Sequence, residues 1–130
     1  MSVIKVDNIR IASESVSRPA TGVAAAWVLF DGTGTAAIDN SVNVSTLTDV
    51  GVGQYTINFN NNMANAFYAY AGEAKEHTNG PHGSNPDRLA KAAKVPLTAS
   101  NFKMMCIISD GTGNARDVEE ASAHFMGDLA

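Results

Sequence analysis

At 130 residues and 13.6 kDa the chain is sized for one domain with a modest core. Its 45% hydrophobic content is ordinary for a globular protein, 17% charged residues is low, and a net charge of −4 excludes a general electrostatic reason to bind nucleic acid or an anionic membrane. The single cysteine, Cys106, excludes an internal disulfide and any multi-cysteine zinc site; it lies in the apolar run Met104-Met105-Cys106-Ile107-Ile108, which reads as a buried, inert thiol.

The chain opens on alternation, Ile4 and Val6 against Lys5 and Asp7, which reads as a strand over residues 3–11 and not as a secretory signal. No apolar run approaches the ~20 residues needed to span a bilayer. Residues 13–22, with Ser, Thr, Pro and Gly, read as a linker. The uninterrupted apolar run 24–30, bounded by Asp31-Gly32, has the pattern of a strand covered on both faces, and Asp-Gly is a strong hairpin signal. Residues 35–47 alternate around Val42 and Val44 and read as one strand. Gly51 and Gly53 then make a tight connection.

Residues 54–59 give the cleanest strand, with Tyr55, Ile57 and Phe59 on one face and Gln54, Thr56 and Asn58 on the other. Asn60-Asn61-Asn62 turns the chain into a strand over 67–72, in which Tyr68 and Tyr70 oppose Phe67 and suit packing or an interface. Strands over 102–109 and 118–126 complete the pattern. The residues expected in the core are Trp27, Leu29, Val42, Val44, Tyr55, Ile57 and Phe59. Short strands separated by glycine turns predict an all-β fold, an antiparallel β-sandwich of about seven strands with one long loop insertion. In this reading residues 1–22 are an N-terminal attachment strand and linker, and residues 23–130 are the sandwich with its insertion at 73–94.

The insertion is polar and rich in turn formers up to Asp87. Arg88 to Lys94 is alanine-rich, with Asp87 placed to cap about two helical turns. On such a helix Arg88, Lys91 and Lys94 share one face, small and positive, suited to an acidic glycan or to solvent. His77, His82 and Asn85 add hydrogen-bonding groups to the same exposed tip, and these six residues are the candidate ligand-binding set. His77 and His82 lack the regular spacing that holds metal ligands at fixed distances. The sequence Asp-Gly-Thr-Gly occurs at 31–34 and at 110–113, and it supplies one carboxylate each time where calcium takes six to eight oxygens. No Gly-x-Ser-x-Gly elbow and no cleft-like pair of carboxylates is legible, so no catalytic residue and no cofactor are expected. His124 reads as a surface or interface residue on the last strand.

The run from Ala26-Trp27-Val28-Leu29-Phe30-Asp31-Gly32-Thr33-Gly34 through Val42-Asn43-Val44-Ser45 to Gln54-Tyr55-Thr56-Ile57-Asn58-Phe59 resembles a segment of bacteriophage tail-fibre-like virion proteins of the marine phage and cyanophage type. Met63 to Tyr68, the opening Ile4-Lys5-Val6-Asp7-Asn8-Ile9, Asp117-Val118 and the closing Phe125 to Ala130 are similar in the same order, and residues 26–59 carry the resemblance most strongly. The connection at 73–94 departs from the family, where it is usually variable and often shorter. The resemblance implies a non-enzymatic structural protein of the virion, tail-fibre-like, for host-surface attachment and homotrimeric. The partners it implies are other virion proteins and a host-surface glycan, with neither nucleic acid nor membrane insertion. Ile4, Val6 and Ile9 are then the candidate attachment residues. A capsid decoration or head-fibre protein is the alternative, ahead of a polysaccharide-degrading enzyme or a carbohydrate-binding module.

Overall fold

The computed structural model describes residues 2, 6–9, 18–19, 23–75, 88–93, 95–108 and 113–130. Every regular element among them is a strand. Short β1 (Asn8–Ile9) and β2 (Arg18–Pro19) pair with each other. The sandwich strands are β3 (Ala24–Asp31), β4 (Ala37–Val42), β5 (Val44–Gly51), β6 (Gln54–Phe59), β7 (Ala69–Lys75), β8 (Arg88–Ala92), β9 (Asn101–Ile108) and β10 (Glu120–Met126). They form two antiparallel four-stranded sheets, a first of order β4-β3-β10-β7 and a second of order β5-β6-β9-β8. The fold is the expected β-sandwich, with eight strands where about seven were read.

The core lies between the sheets because alternate residues of the four inner strands point inward. Ala26, Val28 and Phe30 of β3 and Ala121, Ala123 and Phe125 of β10 meet Tyr55, Ile57 and Phe59 of β6 and Phe102, Met104 and Cys106 of β9, all buried. Rings interlock across the layers. Phe125 has edge contacts with Phe59 and Phe102, each at 5.0 Å between centroids, and Phe30 meets Tyr55 at 4.9 Å. Tyr68, placed just before β7, is buried against Phe59 and Phe125, while Phe67 is 94% exposed.

The expected single strand over 35–47 is two strands. Asn43, at φ 56°, lies between them, and there the chain leaves the first sheet for the second. Its side chain fixes the corner: Oδ1 accepts from Asn61 N at 2.7 Å and Nδ2 donates to Asn61 O at 3.0 Å. The switch also separates Val42 from Val44. Val44 packs against the core, whereas Val42 faces outward and is about half exposed.

The β3–β4 hairpin forms where Asp31-Gly32 predicted it, but the left-handed residue is Gly34, at φ 61°. Asp31 Oδ1 holds the turn by accepting from Thr33 N at 2.7 Å and from the Thr33 hydroxyl at 2.6 Å. Gly113, fourth residue of the second Asp-Gly-Thr-Gly, has φ 66°; residues 110–112 lie outside the described set. The helix expected over 88–94 is overturned, because residues 88–92 are strand β8, paired with β9 from Arg88↔Ile108 to Ala92↔Met104. Alanine favours helix in isolation, but here Ala90 and Ala92 pack inward against the core, and sheet pairing outweighs a preference of a few tenths of a kcal/mol per residue, on the order of 0.5. The expected insertion at 73–94 therefore contains strand at both ends, since β7 runs to Lys75 and β8 begins at Arg88.

Candidate functional site

Trp27 and Leu29 occupy the parity of β3 opposite to Ala26, Val28 and Phe30, so they face away from the core and are partly exposed. This corrects the expectation that Trp27 and Leu29 are core residues. In an apolar run both parities look alike, and the bulkier Trp27 suggested the wrong one. Register places Trp27 beside Val42 on one side and His124 on the other, and His124 beside Ala71. One rung across the outer face of the first sheet thus reads Val42, Trp27, His124, Ala71. Met126, 38% exposed, and Ala24 extend it, and the depression lined by Ala24, Trp27, Ala71, His124 and Met126 measures about 610 Å³. The rung is apolar where it carries tryptophan, valine and methionine, whereas the rung of Leu29, with Asn40, Ser122 and Glu73, is mostly polar.

A second opening lies between the edge strands β7 and β8. It is a cleft of about 370 Å³ whose walls include Tyr70, Gly72, Ala90, Ala92, Phe102 and Met104. Its width follows from side-chain size, since glycine and alanine leave unfilled the space between the two edges. Tyr70 is 44% exposed, and its ring is braced on Phe102 at 4.8 Å between centroids.

At one end of the sandwich a polar corner ties both sheets to the 115–118 segment. The Asp117 carboxylate accepts from Gly53 N at 2.7 Å, and the Tyr55 hydroxyl, 2.9 Å from Gly32 O and 3.2 Å from Asp117 Oδ1, shares its proton between them. Gly32 N donates to Val118 O at 2.9 Å, Cys106 N to Gly53 O at 2.8 Å, and Arg116 N to Cys106 O at 3.0 Å. Burial raises the Tyr55 pKa above the usual tyrosine value, and the Asp117 charge adds to it. Burial likewise pushes the Cys106 thiol up to about 12, with Asp117 again adding, and the Tyr68 hydroxyl to about 12, with Tyr70 adding. A thiol so protonated and enclosed is a poor nucleophile. Tyr55 and Asp117 fasten the corner, whereas the Tyr68 hydroxyl lies 3.1 Å from Thr98 O and 3.3 Å from Asn101 O, away from it. Among the described residues no group of three or more His, Cys, Asp or Glu side chains could hold a metal ion.

Of the six residues in the candidate ligand set, His77, His82, Asn85 and Lys94 lie outside the described residues. Arg88 and Lys91 are on strand β8, so the helix whose one face was to carry them is not formed. Lys91 is exposed. Of the attachment residues Ile4 lies outside the described set, Val6 is 51% exposed, and Ile9 lies in β1, its backbone paired with Arg18. The outer-face rung went unread, although the sequence carried its signal, a strand apolar on both parities.

Comparison of the chain with protein-family models, with curated proteins and with solved structures found no match.

Proposed function

We propose that the chain is a non-enzymatic structural protein of a phage virion, tail-fibre-like, which works as a self-associated unit, a homotrimer, and takes part in attachment to the host surface. The observation that carries this reading is the outer rung Val42, Trp27, His124, Ala71 with Met126 beside it. An apolar side chain left partly in water, as Trp27 is, gains stabilisation when a second surface covers it, roughly 25 cal/mol per Å² of apolar area removed from water. The resemblance of residues 26–59 to tail-fibre-like proteins supports the same reading, because those residues build β3 to β6 and include Trp27 and Val42 of the rung. Host contact is assigned to the end of the sandwich where β7 passes into β8, since a connection held by two sheet edges can vary without disturbing the core.

Antibody labelling of intact virions tests the proposal. Label on the tail fits it, label over the capsid surface points instead to a decoration protein, and particles without label reject a virion role. Replacing residues 76–87 by a short Gly-Ser turn tests the attachment element. Adsorption to the host falls while assembly persists; unchanged adsorption removes that assignment.

A further inference from the structure

The partner of the N-terminal strand is identifiable from the two sides that would meet. We propose that residues 4–7 of one copy add as a strand to the free edge of β7 in a second copy. This deepens the self-association part of the proposed function and rests on it.

The acceptor is built for it. β7 is the outermost strand of the first sheet among the described residues, so the edge facing away from β10 has no ladder partner there. An edge of this kind is a template for an added strand. β7 alternates, with Tyr70, Gly72 and Ala74 on the inward parity and Ala71, Glu73 and Lys75 on the outward one, as its register with β10 requires. Beside the inward parity lies the 370 Å³ cleft, which Gly72 and the alanines of β8 leave unfilled.

The donor matches in both parities. Ile4 and Val6 form an apolar parity, and Lys5 and Asp7 a charged one. In a parallel register with Lys5 beside Glu73, Asp7 falls beside Lys75, and each charge meets its opposite. The same register puts Ile4 beside Gly72, on the wall of the cleft, and Val6 beside Ala74, on the same inward parity. The antiparallel alternative with Lys5 beside Lys75 also sets Asp7 beside Glu73 and opposes like charges, which is destabilising across a sheet. Within the same chain the adjoining β1 pairs with β2 in a separate ladder, and Val6 and Asp7 are exposed. The β7 edge also borders the sheet whose outer face is proposed to be covered, so one neighbouring copy can reach both.

The test uses full-length chains with single added cysteines, the buried Cys106 replaced by alanine. Lys5→Cys chains are mixed with Glu73→Cys chains and mildly oxidised. A disulfide-linked pair between the two variants is expected, and none with Thr48→Cys, which lies on the other sheet. Glu73→Lys is expected to weaken self-association several-fold, and Lys5→Glu in the same chain to restore it. A cross-link that forms only within a chain carrying both cysteines means that the strand folds back on its own sandwich, and overturns the proposal. An oligomer with no 5–73 cross-link and no response to Glu73→Lys overturns strand exchange and leaves self-association standing. A chain that is monomeric at every concentration overturns both.

Discussion

Single residues at the polar corner carry more of the fold than their exposure suggests. Gly53 has φ 63°, and a Cβ there would stand within 2.6 Å of backbone atoms of Arg116 and Cys106. Backbone cannot give way as a flexible side chain does, so Gly53→Ala is expected to cost more than the ~1–3 kcal/mol of a left-handed non-glycine residue alone. A denaturant midpoint equal to wild type would contradict this. Tyr55→Phe keeps the ring on Phe30 but removes the proton shared by Gly32 O and Asp117, an expected loss of about 1–2 kcal/mol in the same measurement. The raised pKa values fix a pH dependence. Unfolded chains release the Cys106 proton near pH 9 and the tyrosine protons near pH 10, whereas the folded chain holds Cys106 and Tyr68 to about 12. Across that window the unfolded state binds fewer protons, so stability, fully present below pH 9, falls as pH rises toward 12. Thermal melts should show the fall beginning near pH 9, and Cys106→Ala should delay it to about pH 10. Melting temperatures level to pH 11 would contradict the assignment.

Among elements, the sheet switch at Asn43 is the joint on which the two-layer arrangement turns. Asn43→Ala loses both bonds to Asn61 and puts a Cβ-bearing residue without compensation at φ 56°, an expected cost of about 1–3 kcal/mol. Asn43→Gly recovers the backbone freedom and should cost less; equal midpoints for the two variants would show that conformation plays no part there. Elements with strict period-two alternation were legible from sequence, β6 above all, whose limits and buried face are those expected. Three others were not, each for a physical reason. Thr35 to Leu47 hid a change of sheet, because one left-handed asparagine interrupts a strand without breaking its alternation. Arg88 to Ala92 has a helical composition that pairing with β9 overrides. Ala24 to Phe30 announced a strand but not its inner parity, because every residue in it is apolar.

The molecule as a whole is a sandwich with one sheet face incompletely covered. Under the proposed self-association Trp27 joins copies more than it holds one together. In dilute solution Trp27→Ala should lower stability well below the ~3–5 kcal/mol expected of Phe30→Ala or Phe125→Ala, whose side chains are fully buried. Equal losses would return Trp27 to the core. The candidate site was only partly legible. The two-faced apolar strand pointed to a cover, but sequence could not show that His124 and Ala71 fall on the Trp27 rung, since β10 joins β3 and β7 joins β10 through long-range pairing, nor that Val42 does, since the register of the β3–β4 hairpin shifts between Leu29 and Phe30. The positive face drawn from Arg88, Lys91 and Lys94 depended on a helix that does not form. Trp27 is the only tryptophan in the chain, and it sits on the rung at issue. Its emission maximum, followed from nanomolar to high micromolar protein, therefore reads self-association at the rung itself. A shift to shorter wavelength is expected as copies associate and water leaves the rung. An emission maximum unchanged across that range, in a protein that remains at 13.6 kDa, would contradict it.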